Sequence, residues 1–536
     1  MNEGSYSPLD YGRMPDVKKP RSTFDMTSRW IGTIDADYLV PIFVEEALPG
    51  DSWNMTCSLF ARMTTPTVAY MDNIYAEIHW FACSERLLWE NWKRMNGEQD
   101  NPADSPAFVT PKLTVPSGGF TEGSLGDWFG LPTKVAGVGA TVPMNPRSAP
   151  FRLYNLCWNQ WWRDENLCDS VVVDQDDGPD DAADYVPLKR MKRPDYFAAC
   201  LPWAQKGSPV TIPLGANIAV TGIGVSTANP SALNALAWID ANDDLRAVNT
   251  SYGWDQSFVF YMEDKVQSAG TAGTGGHGPN IMVDATALAV TMNALREAEM
   301  VQQFLETNAR FGTRYPEQLR GRWGVESSDA RLQRVEFLGS SSHYVNQHPV
   351  AQTGESGTTP QGNITSFATA SGKSGFTKSF EEHSWIMGLL SIRADVSYQQ
   401  GMRRMWSRDT ALDFAQPEFM HLGEQAVLSR ELFVDGSLAD DDVFGYQERF
   451  AEYRSRPSHV TGSFRSNATT SLDFWHLGQD FATRPVLDQD FKTSRTLIDR
   501  VVAVPTEPNF YVDCYFTGKA ARVLSVRGVP GLGKSF

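Results

Sequence analysis

Residues 38–83 carry the clearest periodicity in the chain. Over 53–62, Trp53, Met55, Cys57 and Leu59 share one parity, while Asn54, Thr56 and Ser58 take the other. That period of two predicts a strand with one covered face. A second such run, 74–83, sets Ile74, Ala76, Ile78 and Trp80 against Tyr75, Glu77 and His79. A third, 38–46, contains Pro41; a proline inside a strand predicts a sheet edge or a bulge. The turn signal Leu48-Pro49-Gly50-Asp51 separates the first two strands in chain order. Three strands so close in sequence predict an antiparallel meander rather than a βαβ unit.

Elsewhere the pattern changes. Over 84–97, Ser84 can cap a helix, Leu88, Trp92 and Met95 share a helical face, and Gly97 can end it. Residues 98–149, rich in Pro and Gly, predict long loops with short strands. Pro150 opens a helix with Phe151, Tyr154, Trp158 and Trp161 at helical spacing. A short strand is expected at 209–214, a helix from Asp284 to about 311, and mostly irregular chain over 313–380. Strands are expected again at 385–398, 500–504 and 509–516, the last with Phe510, Val512, Cys514 and Phe516 on one face. First and last strands that bracket long insertions predict a mainly β protein, a decorated β-sandwich.

Composition narrows the function. The chain has 536 residues, 41% hydrophobic and 21% charged, so it can bury a large core; 16 Trp suit extensive contact surfaces as well as cores. A net charge of −17 argues against a free-standing nucleic-acid binder. Contact with DNA would have to use local patches. One such patch is the N-terminal set Arg13, Lys18, Lys19 and Arg21; another is Lys189, Arg190, Lys192 and Arg193, four cations in five residues. Both also read as ordinary surface charge, the second pairing with the acidic run 174–184, which lacks the glycine and glutamate placement of an EF-hand.

The six Cys form no CxxC pair and suit a reducing compartment. The N-terminus has no apolar core of a signal peptide, and no apolar run reaches the roughly 18 residues of a membrane span. Gly528 to Ser535 satisfies the GxxxxGKS phosphate-loop pattern, but only Phe536 follows, leaving no room for the helix such a loop needs. The match is expected to be accidental. The eight His form no metal-binding spacing, and no nucleophile motif or carboxylate pair marks an enzyme. No cofactor or metal is expected.

Several long stretches resemble one family in fixed order: LVPIFVEEALPGD (39–51), MDNIYAEIHWFACSERLLWENWKRMNGEQ (71–99), GFTKSFEEHSWIMGLLSIRADVSYQQGMRRMWSR (375–408) and LDFWHLGQDF (472–481). They are similar to the major capsid protein of the gokushovirus branch of the Microviridae, small single-stranded DNA bacteriophages. The resemblance runs from about residue 20 to the C-terminus and lapses over 215–285, which is Ala-, Gly-, Ser- and Asn-rich. It implies a viral jelly roll with long insertions, assembling with itself into a T=1 icosahedral shell around circular single-stranded DNA. The domains then read as an extended arm (1–36), a first core part (37–214), a surface insertion forming a three-fold protrusion toward a host receptor (215–285), and a second core part with a basic tail (286–536). Implied partners are the genomic DNA, a small basic DNA-binding capsid protein, a scaffolding protein and the host surface. The virion is the implied location, after assembly in the host cytoplasm. A carbohydrate-binding or carbohydrate-cleaving β-sandwich is the competing reading.

Overall fold

The computed structural model describes residues 20–102, 108–135, 144–211, 291–355, 357 and 360–527, together with four short strand segments between 220 and 283. Long antiparallel strands build two sheets. In chain order they are β1 (Ser22–Asp25), β2 (Ser28–Ile34), β3 (Val40–Ala47), β4 (Ser52–Met63), β5 (Ile74–Ser84), β6 (Glu336–Tyr344), β7 (Asn346–Ala351), β8 (Ile364–Ser379), β9 (Ser384–Ala394) and β10 (Phe510–Arg522). The larger sheet has six strands: β10 takes β1 and β2 on one side and β4 on the other, followed by β8 and β7. The smaller has the order β6-β5-β9-β3. The chain is mainly β, as expected.

The meander is corrected. Consecutive strands β3, β4 and β5 do not pair with one another: β4 lies in the large sheet between β10 and β8, while β3 and β5 flank β9 in the small one. Each strand's alternation records only that one face is covered, and the same pattern arises when successive strands cross between two layers. Pro41 sits where its chemistry requires. β3 is the edge of the small sheet, and its register against β9 shifts between Gly388 and Leu389, opposite Pro41.

Apolar faces of the two sheets meet in one core. Trp80 of β5 is fully buried, its ring 5.1 Å from Phe376 of β8, 5.6 Å from Phe43 of β3 and 6.3 Å from Phe516 of β10. Its indole Nε1 donates to Ser374 Oγ across the layers at 2.8 Å. Gly388 of β9 makes room for that ring, since a Cβ there would lie 2.8 Å from Trp80.

The outer faces differ. Every residue of β9 is buried, because the small sheet is covered a second time by helix α1 (Ala149–Trp161) and its flanking loops. Phe81 packs 5.7 Å from Trp161 and 5.3 Å from Trp162, and Tyr154 Oη donates to the Leu39 carbonyl at 2.8 Å. The aromatic spacing that predicted α1 is thus its packing face. On the large sheet, β4 and β10 instead alternate buried with exposed or half-buried positions.

Other expectations are adjusted. The described part of the arm, from Pro20, is extended, but as β1 and β2 paired to the last strand. Residues 84–97 form a 3-10 turn (Glu85–Leu87) and one α turn (Trp92–Met95) rather than a single helix. Residues 313–380 are largely regular: a helix, α3 (Tyr315–Trp323), then β6, β7 and β8. The inward positions of β8 are Ser366, Ala368, Ala370, Ser374 and Phe376, so small residues hid its period. No strand spans 500–504; a 3-10 turn (Ile498–Arg500) and a single bridge from Val502 to Pro66 stand there. Residues 209–211 carry no strand, and 212–214, the start of the helix expected from Asp284 and the phosphate-loop match at 528–535 lie outside the described residues.

The chain divides into a unit of 1–204 with 308–536, which holds both sheets, and a unit of 205–307. Within the second, the short strands Ala237–Ile239 and Leu245–Ala247 pair, as do Val220–Thr221 and Met282–Val283. Most of helix α2 (Met292–Arg310) belongs to it, and the Lys206 amide donates to the Leu305 carbonyl at 3.2 Å.

Candidate nucleic-acid interface

Lys189–Arg193 runs along the covered face of the small sheet, and its members have unlike environments. Arg190 is 5% exposed; its Nη1 donates to Glu77 Oε2 at 2.6 Å. Arg393 of β9 holds the other carboxylate oxygen, with Nε at 3.0 Å and Nη2 at 2.9 Å. Glu77 therefore sits between two guanidinium groups. Burial pushes its carboxyl up, but the Arg190 charge and the hydrogen bonds from Arg190 and Arg393 outweigh it and hold the pKa at about 2. Lys189 is half-buried with its Nζ 5.0 Å from the Tyr38 ring centre, and its carbonyl accepts from Trp158 Nε1. Lys192 lies over Phe491 at 4.1 Å, and burial lowers its pKa to about 8. Arg193 alone of the four is exposed, its Nη1 3.9 Å from Glu77.

The two arginines of the quartet therefore meet Glu77, and the two lysines lie against aromatic rings, rather than pairing with the acidic run. That run is itself part of the fold. Asp180 is buried and takes both ends of the Arg152 guanidinium, at 2.5 and 2.7 Å. Asp177 accepts from Trp89 Nε1 at 2.8 Å. A cleft of about 510 Å³ beside the quartet holds two further ion pairs, Arg314 with Glu165 at 3.0 Å and Lys492 with Asp164 at 2.8 Å. Of the N-terminal cations, Arg13, Lys18 and Lys19 lie outside the described residues; Arg21 is exposed at the start of β1, 3.3 Å from Ser52 Oγ.

Sequence reasoning missed Glu77 and Arg393 as partners. The signal was present: each is a lone charge inside an apolar strand, and a charge in a buried strand needs an opposite one.

Acid should loosen this cluster in two stages. His79, beside Glu77 on β5, is held down at about 4, first by burial and then by the Arg190 charge. Its folded pKa is depressed, so its contribution is intact above its unfolded value near 6.5 and is lost as pH falls toward 4. Glu77 contributes above its unfolded value near 4.3 and loses roughly 3 kcal/mol as pH falls toward 2. Urea unfolding of the subunit from pH 7 down to 3 checks this. His79→Gln should flatten the upper stage only; a stability independent of pH between 7 and 4 contradicts the assignment.

No helix among the described residues is long and apolar enough to cross a membrane. What the geometry offers is a rigid two-layer block with elaborate loops and many exposed large apolar side chains, Trp406, Leu412, Phe414 and Leu422 among them. Comparison with known proteins identifies the class: viral coat proteins match along nearly the whole chain. The family model described as "Capsid protein (F protein)" matches residues 12–532. The chain is 41% identical to "Capsid protein VP1" of Bdellovibrio phage phiMH2K over 532 residues, 97% of each protein. It is 37% identical to "Capsid protein VP1" of Chlamydia phage 1, again over 97% of each, and 30% identical to that of Spiroplasma virus 4, over 96% of this chain and 95% of the relative. This chain belongs to the F protein capsid family, in agreement with its resemblance to the Microviridae coat protein, and its function is structural.

Proposed function

We propose that the chain is the repeating subunit of a closed T=1 icosahedral shell around circular single-stranded DNA, built in the host cytoplasm with a scaffolding protein and a small basic DNA-binding partner. The end-to-end family match carries this reading. Two structural features support it. The strand orders β2-β10-β4-β8 and β3-β9-β5-β6 support a jelly roll, the eight-stranded double Greek key, as the frame of that subunit. The exposed apolar residues of 405–422 sit on an ordered loop, as surfaces that become buried in an assembly do. A closed shell needs several different contacts on one subunit, and long insertions provide them.

The segment 215–285 is proposed as the host-facing protrusion. Its composition supports this, as do Leu295, Val301 and Phe304, exposed on α2 within the same unit and suited to self-association. Among the basic groups, Arg193, Arg21 and the cations of 13–19 remain candidates for phosphate contact, whereas Arg190 is engaged by Glu77.

Expression of the full chain with its scaffolding partner, followed by electron microscopy, tests the reading: closed shells of uniform diameter are expected, and monomers under all conditions would sink it. Replacing 215–285 by a short Gly-Ser bridge should leave shells intact and reduce attachment to host cells. Shells that fail to form in that variant would place the segment in the structural core.

A further inference from the structure

We infer that the outer face of the six-stranded sheet is a stacking platform for single-stranded DNA. This rests on the coat reading above and adds the surface that meets the genome. The small sheet's outer face is covered by α1, whereas among the described residues the outward positions of β4 and β10 in the large sheet are exposed or half-buried and have an unusual composition. Pairing register places Phe60 of β4 opposite Asp513 of β10, between Arg62 opposite Tyr511 and Ser58 opposite Tyr515. Phe60 is 50% exposed, Tyr511 40% and Tyr515 47%. Three aromatic side chains thus stand together on one solvent-facing surface, surrounded by the small polar residues Thr56, Ser58, Thr369 and Ser371.

Two cations on this face suit phosphate. Arg62 and Lys373 are exposed, and among the described residues no carboxylate pairs with either. Asp513 is neutralised by Arg29, whose Nε and Nη2 donate to it at 2.8 and 2.6 Å. A groove of about 890 Å³ is lined by Ile31, Phe60, Arg62 and Tyr511 and by the carboxylates Asp127, Glu507 and Asp513, with Tyr511 Oη donating to Glu507 at 2.6 Å. An otherwise acidic protein thus gathers unpaired cations and exposed rings on one sheet, the combination that holds single strands without sequence preference. A second copy of the chain would also be drawn to the rings, but it gives no reason for the cations.

Fluorescence titration of the full-length subunit with a labelled oligothymidylate, repeated over a range of salt, tests the proposal. Phe60→Ala and Tyr511→Ala should each weaken binding about tenfold, and Tyr511→Phe should retain it. The double variant Arg62→Gln with Lys373→Gln should lower the slope of log affinity against log salt by about 1.4, at roughly 0.7 per phosphate contact. Unchanged affinity and slope in all of these would overturn the proposal. So would aromatic variants that block shell formation yet bind the oligonucleotide normally, which would make the face a contact between subunits. The two readings fail separately: a wild-type chain that formed no shells would sink the coat reading, whereas intact shells with unaltered oligonucleotide binding would sink the platform.

Discussion

Arg152→Ala is expected to destabilise the subunit by about 3–5 kcal/mol, enough to prevent folding at elevated temperature. Arg152 projects from α1 and is fully buried. Its guanidinium is bidentate on Asp180, and Nη1 also donates to the carbonyls of Leu88 and Asp176, each at 3.0 Å. Tyr185 Oη adds a bond to Asp180 at 2.7 Å. Truncation would leave a carboxylate and two carbonyls buried without their donor, and an uncompensated buried charge costs more than the intact pair contributes. Urea unfolding of the unassembled subunit gives the figure. Asp180→Asn should also destabilise, since it keeps the shape but leaves the Arg152 guanidinium buried without its main counter-charge; equal stability of wild type and Arg152→Ala would show that the pair is solvated.

Trp80→Ala should be comparably severe, about 3–5 kcal/mol. The ring fills the centre of the sandwich against Phe43, Phe376 and Phe516, contributed by three other strands from both sheets. Removing it leaves a cavity that rigid strands cannot close, and Ser374 loses its indole donor in the interior. Trp80→Phe should recover most of the packing but not that hydrogen bond. Thermal unfolding of the three proteins orders them wild type, Phe, Ala. An alanine variant as stable as wild type would mean that the two layers do not meet at this ring.

The sequence by itself determined the strands whose inward positions are large: the alternation of β4, β5 and β10 and the aromatic face of α1 were all legible, because burial of big apolar side chains leaves a periodic record. It also placed Pro41 at a sheet edge or a bulge, since a missing amide donor excludes regular pairing in the middle of a sheet. It carried the family through long ordered matches. Only the tertiary structure decided which strands are neighbours. β3, β4 and β5 are consecutive yet belong to two sheets, and alternation says that a face is covered without saying by what. β8 escaped notice because Ser366, Ala368 and Ala370 face inward, and small residues give little hydrophobic contrast. The basic quartet shows the same division. Four cations in a row are visible as charge, but that Arg190 is spent on Glu77 follows from the register that brings β5, β9 and this segment together. Among the rings of the large sheet, Phe60 lies about 450 residues from Tyr511 and Tyr515 in the chain, and the three become one surface only because the last strand pairs with β4.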